Sequence, residues 1–475
     1  MTADSSAPPS RRRVGSFAPR EPDARANAEG GASAAPETRG KRKGTAAAFL
    51  GGAIGRLLPA SVPFRYFGAA VVFHVLAWAA LLAGADGATR FHGGLGWPLA
   101  ALHLVTLGVL VMTALGASLQ LLPVATRQSV SSRHAPALIW WLYTPGVAAT
   151  TLGMGIASVT MLAAGALLVT VALAIYAVVL AANLFGARGM PSVVAHGWAA
   201  WASLAVALIA ALSLAWSYLG VPALPRGLAL ALHVPFAGYG FMGLLALGLS
   251  YIIVPMFALS PAPDERRAIA SCALAVVALA AAAVAAFGVG VVAARVIAVA
   301  AGAAAVALHL HTMRVALRTG MRRDLGRSFR LVRIGWGMLA ASLAAALGVA
   351  LNVPLDGMAT LFGFTLIVGW LLTFLLGILQ RIVPFLASMH AARGRHLPPT
   401  PSALGAGSSL RVHYVSHLAA LGLLALAIGA DSPWLVRAGA AAGLVGASAF
   451  LVFFVTVVRR MLDANRAAKA HTVPA

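Results

Sequence analysis

Two histidines at matching positions in two hydrophobic segments are the residues of this chain best suited to chemistry. His103 and His233 follow the start of a long apolar segment by the same short distance. Neutral imidazole binds transition metals and haem iron, and ionisable residues inside a membrane are costly enough to indicate function. We therefore predict that His103 and His233 hold haem or a metal ion. A structural hydrogen bond to a neighbouring helix is the alternative for each.

The other histidines have less distinctive positions. His74 lies near the middle of the first predicted helix and is a second candidate, with His233, for a metal ligand. His413 and His417 are four residues apart, so they share a helix face at a spacing that metal sites use. Because they lie near a helix end, we expect them at the membrane interface instead, together with four others. These four are His309, His311, His390 and His396.

Carboxylates are absent from the predicted helix cores. The acidic residues lie in the N-terminal tail, in loops or at helix ends, as Glu265, Asp86, Asp356 and Asp431 do. Carboxylates inside the membrane usually carry protons in pumps and transporters. The sequence therefore argues against a proton-coupled transporter and against general acid–base catalysis by buried acids.

The composition is that of a membrane protein. Of the 475 residues, 60% are hydrophobic and only 10% are charged. Long apolar runs with almost no charge recur from about residue 66 to residue 461. A helix of about 20 apolar residues spans the hydrocarbon core of a bilayer, so we predict transmembrane helices that contact lipid. The net charge of +23 does not indicate nucleic-acid binding, because the basic residues lie in the tail and loops. The single cysteine, Cys272, excludes a disulfide framework.

One spaced motif, G-x7-G-x6-P, occurs three times along the chain. Its copies begin 132 and then 129 residues apart, and such regular recurrence indicates an internal repeat. Each pair of glycines is about two helical turns apart and so shares one face. That face can pack against a neighbour or leave room for a flat cofactor, and the proline can break or kink the helix. The copies are Gly108, Gly116 and Pro123; Gly240, Gly248 and Pro255; and Gly369, Gly377 and Pro384.

Twelve membrane helices account for the hydrophobic pattern and for the distribution of charge. Only four of the basic residues, Arg90, Arg226, Arg295 and Arg437, fall on the side opposite the N-terminal tail. By the positive-inside rule, both termini are predicted to be cytoplasmic. The motif copies then fall on helices 2, 6 and 10. The predicted helices are 66–84, 97–123, 137–157, 160–184, 197–219, 227–258, 268–288, 291–317, 331–351, 357–388, 411–430 and 434–460.

The predicted organisation is therefore one membrane domain between two tails. Residues 1–62 are rich in Ala, Pro, Arg and Ser and are predicted to be a disordered basic cytoplasmic tail. Residues 63–461 form an all-α domain of twelve transmembrane helices. Its three quasi-equivalent four-helix repeats cover about 66–184, 197–317 and 331–460. Residues 462–475 are predicted to be a cytoplasmic C-terminal tail.

Three stretches that carry the motif resemble a known family. They read "ALHLVTLGVLVMTALGASLQLLPVA", "ALHVPFAGYGFMGLLALGLSYIIVPMF" and "FGFTLIVGWLLTFLLGILQRIVPFL". With twelve helices and three four-helix repeats, the chain resembles divergent members of the heme-copper oxidase subunit I superfamily. This resemblance covers residues 66–461 and rests on glycines, prolines and two histidines.

The resemblance implies ligand roles but not a complete oxidase site. His103 matches the helix-2 histidine that holds the low-spin haem, and His233 matches the helix-6 histidine that binds copper. Helix 7 has no histidine for copper, helix 10 has none before His390, and Phe364 stands where a repeat-equivalent of His103 would be. The chain thus lacks the ligands of a full oxidase-type copper site, and terminal oxidase activity is not expected.

The functional expectation is a bacterial cytoplasmic-membrane protein that binds haem or a metal. The resemblance suggests a role in respiratory, nitric oxide or redox-stress metabolism, with other respiratory-chain membrane proteins as partners. A cofactor-free transporter or scaffold is the alternative. Major-facilitator transporters also have twelve helices, but their internal symmetry divides the chain into two halves, whereas the motif here recurs three times.

Overall fold

The chain is helical throughout the part that the structure describes. The computed structural model describes residues 58–470, apart from 130, 131, 133 and 392–398, and this part contains no β-strand. The predicted all-α class is confirmed for these residues. Most of the predicted N-terminal tail and the candidate His396 lie outside the described residues.

A helix of at least 21 residues occupies each of the twelve predicted segments. Shorter helical pieces also occur in the described loops, among them Pro401–Leu404. The long helices are α1 Ser61–Ala83, α2 Trp97–Thr126, α3 Ala135–Gly155, α4 Val159–Phe185, α5 Pro191–Ser217, α6 Arg226–Ala258, α7 Glu265–Ala286, α8 Val291–Thr319, α9 Gly326–Ala350, α10 Met358–Ala391, α11 Gly407–Ala430 and α12 Pro433–Ala470.

Eleven of these helices are long and apolar enough to cross a membrane. The exception among the long described helices is α3, which has 21 residues and packs closely along α4. Its second half, "YTPGVAATTLGMG", contains threonine, glycine and an internal proline, Pro145, which lower its hydropathy. The chain is therefore a multi-pass membrane protein, and length and composition alone support eleven spans.

Two predicted boundaries differ from the structure. α1 begins at Ser61, five residues before the predicted start. α12 continues to Ala470, ten residues past the predicted end of the last membrane helix, so the described part of the predicted C-terminal tail is helical. Residues 461–470 read "MLDANRAAKA", and their four alanines are strong helix formers, so the helix propagates beyond its apolar part.

The three motif-bearing helices, α2, α6 and α10, are the innermost of the bundle. In their most apolar stretches, 67, 94 and 67% of the residues are buried, compared with 50% or less in the other candidate spans. We call them the motif helices. The motif helices therefore lie at the centre of the bundle and not at its lipid-facing rim.

Each motif helix contains a π-helical segment at the same place. The segments are Leu104–Val111, Phe236–Gly243 and Phe364–Leu372. In every copy the segment ends three residues after the first glycine of the motif. A π segment inserts an extra residue into the helical turn and often marks a functional site. The sequence motif thus coincides with a recurrent distortion of the backbone that we did not predict.

The motif glycines of the first two copies are close-contact points with the preceding helix. A Cβ on Gly108 would lie 2.7 Å from Cβ of Phe73, and one on Gly116 would lie 2.7 Å from Cβ of Tyr66. In the second copy, Gly240 lies against Ser203 and Gly248 against His196. Tight packing, one of the two predicted uses of the shared face, is therefore found in both copies.

The third copy repeats this arrangement. Gly369 packs on Met338, and a Cβ on Gly377 would lie 2.6 Å from the carbonyl oxygen of Ser328 and 3.1 Å from Cβ of Leu331. Leu331 and Met338 are seven residues apart, as are the two contact residues of α1 and the two of α5. Each motif helix therefore packs on its preceding helix through the same pair of contacts.

The motif prolines do not interrupt their helices. α2 and α6 continue for three residues past Pro123 and Pro255, and the next residues, Arg127 and Leu259, take left-handed backbone angles (φ 59° and 53°). α10 continues past Pro384 to Ala391. Of the two predicted effects of the proline, a break or a kink, the break is not found. The first two helices end soon afterwards, as expected where a proline has removed a backbone donor.

A small ionic network joins loops that are distant in sequence. Arg90 donates to Asp431 at 2.6 Å and to Asp356 at 3.1 Å, and Thr89 donates to Asp431 at 2.7 Å. The Thr89 hydroxyl and the Arg90 guanidinium hold the pKa of Asp431 below its usual value. The network connects the loop after α1 with the ends of α9 and α11.

We expect this network to make the stability of the protein dependent on acid pH. A lowered pKa means that the carboxylate stabilises the fold above its unfolded-state pKa, and that this stabilisation is lost as the pH falls through the folded-state value. Melting curves in detergent from pH 7 to pH 3 should show a smaller acid-induced decrease for Asp431→Asn than for the wild type. Parallel curves would show that the network does not contribute, as is common for exposed ion pairs.

Candidate metal or haem site and the buried histidines

His103 and His233 lie in the N-terminal halves of two motif helices, just before the π segments. His103 directly precedes Leu104, and His233 is three residues before Phe236. Both side chains are partly exposed, although the C-terminal halves of the same helices are almost fully buried. The two histidines therefore lie at similar positions along two motif helices that pack together.

Each imidazole of this pair is oriented by a backbone carbonyl. Nδ1 of His103 lies 3.0 Å from the carbonyl oxygen of Leu99, and Nδ1 of His233 lies 3.3 Å from that of Ala207. A carbonyl only accepts hydrogen bonds, so Nδ1 carries the proton and a neutral ring presents its lone pair at Nε2. Neither Nε2 atom has a hydrogen bond to a described residue. The pair thus offers two Lewis bases.

The packing of the motif helices differs along their length. α2 and α6 pack together through their C-terminal halves, after the π segments, whereas their N-terminal halves have few close backbone contacts. The π segment of α10 contacts both neighbours, for example where Trp370 stacks on Tyr239 with ring centroids 5.8 Å apart. His103 and His233 therefore lie in the halves of α2 and α6 that pack less closely against each other.

His74 does not join this pair. Its ring lies on α1, nearly fully buried, and Nε2 accepts a hydrogen bond from the indole of Trp78 at 3.0 Å. Its nearest histidine neighbour is His413, with ring centroids 6.4 Å apart. No contact with His233 is found among the described residues, so the structure does not support the predicted pairing of His74 with His233.

His413 and His417 are buried, and the prediction that they lie at the interface is wrong. They are 0% and 1% exposed, because α11 begins four residues earlier than predicted and α12 packs along it. Nδ1 of His413 donates to the carbonyl oxygen of Gly446 at 3.1 Å, and Nε2 of His417 lies 2.9 Å from the hydroxyl of Thr373. Both histidines therefore link helices inside the bundle.

A second buried group surrounds Tyr251. Its hydroxyl lies 3.0 Å from Nδ1 of His309, and its ring is edge-on to His196 at 5.4 Å. His309, predicted to lie at the interface, is fully buried, and His196 was not among the predicted site residues. A similar pair occurs in the first repeat, one position out of the motif register. Ser118 and Tyr176 are also 58 residues apart and are hydrogen-bonded at 2.8 Å.

Two of the buried histidines share the tautomer of the His103–His233 pair. Nδ1 of His413 donates to a carbonyl, as does Nδ1 of His196 to the carbonyl oxygen of Ser192 at 2.8 Å, and neither Nε2 atom has a hydrogen-bond partner among the described residues. His74 differs, because its Nε2 accepts a hydrogen bond from Trp78. Within the described part of the chain, no group of three or more His, Cys, Asp or Glu side chains could hold a metal ion.

No protein-family model matches this chain, and no curated protein sequence matches it. The candidate site therefore rests on its own geometry.

Proposed function

We propose that the chain is built from three quasi-equivalent four-helix repeats with α3 as a twelfth membrane span. Three regularities support this. Each motif helix has a π segment in the same register and packs on its preceding helix through the same two contacts. Each repeat then adds a closely packed pair of helices, namely α3 with α4, α7 with α8, and α11 with α12.

We further propose that His103 and His233 would hold a haem iron or another transition-metal ion. The observation that carries this proposal is the pair of Nε2 lone pairs on two motif helices that pack together, each fixed by a carbonyl-bound Nδ1 atom and neither hydrogen-bonded to a described residue. Hydrogen bonding of Nδ1 to a carbonyl is also what sets the tautomer and orientation of metal-bound histidines. The resemblance to the heme-copper oxidase superfamily favours haem.

The roles of this chain's residues follow from that placement. The Leu99 and Ala207 carbonyls hold the two imidazoles, and the apolar π segments that follow them would contact the bound group. Haem, when bound, would supply electron transfer or binding of a diatomic gas. A haem–copper centre is not proposed, because α7 offers no histidine and α10 has none before His390.

The cellular role that we propose is the one implied by the resemblance to the heme-copper oxidase superfamily. The protein would reside in a bacterial cytoplasmic membrane with both termini in the cytoplasm, since most basic residues lie on that predicted side. It would act in respiratory, nitric oxide or redox-stress metabolism, alongside other respiratory-chain membrane proteins. Fold analogy alone does not fix a substrate.

The test is the absorption spectrum of the purified protein. We expect a Soret band, with haem and protein in about equal amounts, after expression in haem-replete cells and purification in mild detergent. Metal analysis of the same sample would detect another metal ion if the site holds one instead of haem. A colourless, metal-free and monodisperse preparation would reject the proposal.

The alternative is a cofactor-free transporter or scaffold. It is favoured by the hydrogen bonds through which His309, His413 and His417 join neighbouring helices. On this account the buried histidines only connect helices. The colourless preparation described above would support it, because a structural role needs no bound group.

A further inference from the structure

Arg381 is a half-buried arginine with no acidic partner. It stands three residues before the motif proline of α10, where the other two copies have Gln120 and Ile252. Its Nε donates to the hydroxyl of Ser328 at 2.8 Å, and its Nη2 donates to the carbonyl oxygen of Leu325. No carboxylate among the described residues lies within salt-bridge distance of it.

The surroundings of Arg381 add positive charge. The segment that it contacts carries Arg322, Arg323, Arg327 and Arg330, all exposed, and one acid, Asp324. The carboxylate of Asp324 accepts from the backbone N–H of Gly326 at 2.8 Å. Arg322 interacts repulsively with Arg381, and Asp324 offsets this repulsion only in part, with a weaker attraction. We call these five arginines the Arg381 cluster.

The Arg381 cluster lies at the end of the membrane-spanning region. Arg381 contacts the first turn of α9 and the residue before it, so it is level with the point where that helix begins. By the charge pattern this is the cytoplasmic side. Headgroup phosphates of the inner leaflet occupy the same depth, and basic pockets between helices on this side bind anionic headgroups.

The donors that Arg381 leaves unused suit a phosphate. A guanidinium has five N–H donors, and Arg381 uses one on Nε and one on Nη2 in the described contacts. Both donors of Nη1 and one of Nη2 remain. Arginine binds phosphate oxygens in a bidentate manner, and a half-buried charge without a counter-ion is costly.

We propose that the Arg381 cluster binds the phosphate of an anionic phospholipid. The lipid headgroup would lie against α10 and the start of α9, and Arg381 would make the buried contact while the exposed arginines provide the attraction. This inference does not depend on the proposed haem site. The positive-inside rule alone predicts basic loops but no special role for one half-buried arginine.

The experiment compares lipid binding by native mass spectrometry and by thermal shift. Wild type, Arg381→Gln and Arg381→Lys are titrated with phosphatidylglycerol, with phosphatidylcholine and with inorganic phosphate. The control is Arg466→Gln, which removes an exposed charge near the end of α12. We expect Arg381→Gln to bind phosphatidylglycerol about tenfold more weakly, given the usual strength of a charge-assisted hydrogen bond. The lysine variant should be intermediate, and the control should match the wild type.

Three results would overturn the proposal. They are equal binding of phosphatidylglycerol by wild type and Arg381→Gln, equal binding of the two lipids by wild type, and saturation of the site by inorganic phosphate alone. If Arg381→Gln does not fold, the double variant Arg322→Gln/Arg327→Gln tests the same cluster through exposed residues. Undiminished phosphatidylglycerol binding by that variant would likewise contradict the inference.

Discussion

Gly377→Ala is expected to destabilise the protein by about 1–3 kcal/mol, the usual range for overpacking a tight contact. The added Cβ would lie 2.6 Å from the carbonyl oxygen of Ser328. Because this neighbour is backbone, α10 and α9 must move apart, and no side-chain rotation can relieve the clash. We would measure it as a lower melting temperature of the detergent-purified protein.

Gly363 provides a matched control on the same helix. A Cβ on Gly363 has nothing within 4 Å, and alanine favours helix over glycine by about 1 kcal/mol. Gly363→Ala should therefore be neutral or stabilising, opposite in sign to Gly377→Ala. If both variants melt like the wild type, the close contact between α9 and α10 is not part of the native packing.

His103→Ala is expected to remove haem from the purified protein. With one of the two proposed ligands lost, haem content per protein should fall at least about tenfold, and any residual Soret band should shift. His233→Ala should have a similar effect, since the proposal gives both histidines the same role. The readout is haem content at equal protein concentration.

The control for this experiment is His311→Ala, which removes an exposed histidine near the end of α8. It should keep the haem content of the wild type. Loss of haem in His311→Ala, or full retention in both His103→Ala and His233→Ala, would contradict the assignment of the ligands. Size-exclusion profiles of all three variants show whether a loss of haem reflects unfolding.

The sequence predicted the helices well because hydrophobic length is a strong signal in membranes. The apolar runs place α2 and α6 to within a few residues, and the spacing of Gly108, Gly116 and Pro123 anticipated the inner position of the motif helices. The distribution of basic residues predicts which loops are cytoplasmic, a prediction on which the helix positions do not bear. α3 is the long helix that hydropathy supports least as a membrane span, since its threonines and glycines lower its hydropathy.

The polar interior could be predicted only in part. Depth along a helix singled out His103 and His233, whose role as ligands stays a prediction, but it misplaced His309, His413 and His417. Their burial depends on neighbouring helices that a single segment does not encode. The hydrogen bond between Tyr251 and His309 likewise joins two helices and cannot be read from either one. The π segments had no signal that we recognised.

The most direct test of the proposed site is a cryo-electron microscopy map of the protein in lipid nanodiscs. The space between Nε2 of His103 and Nε2 of His233 should contain density continuous with both rings, with the shape of a porphyrin or of a single metal ion. Two imidazoles that bond only to protein groups or water, with no further density between them, would contradict the proposal.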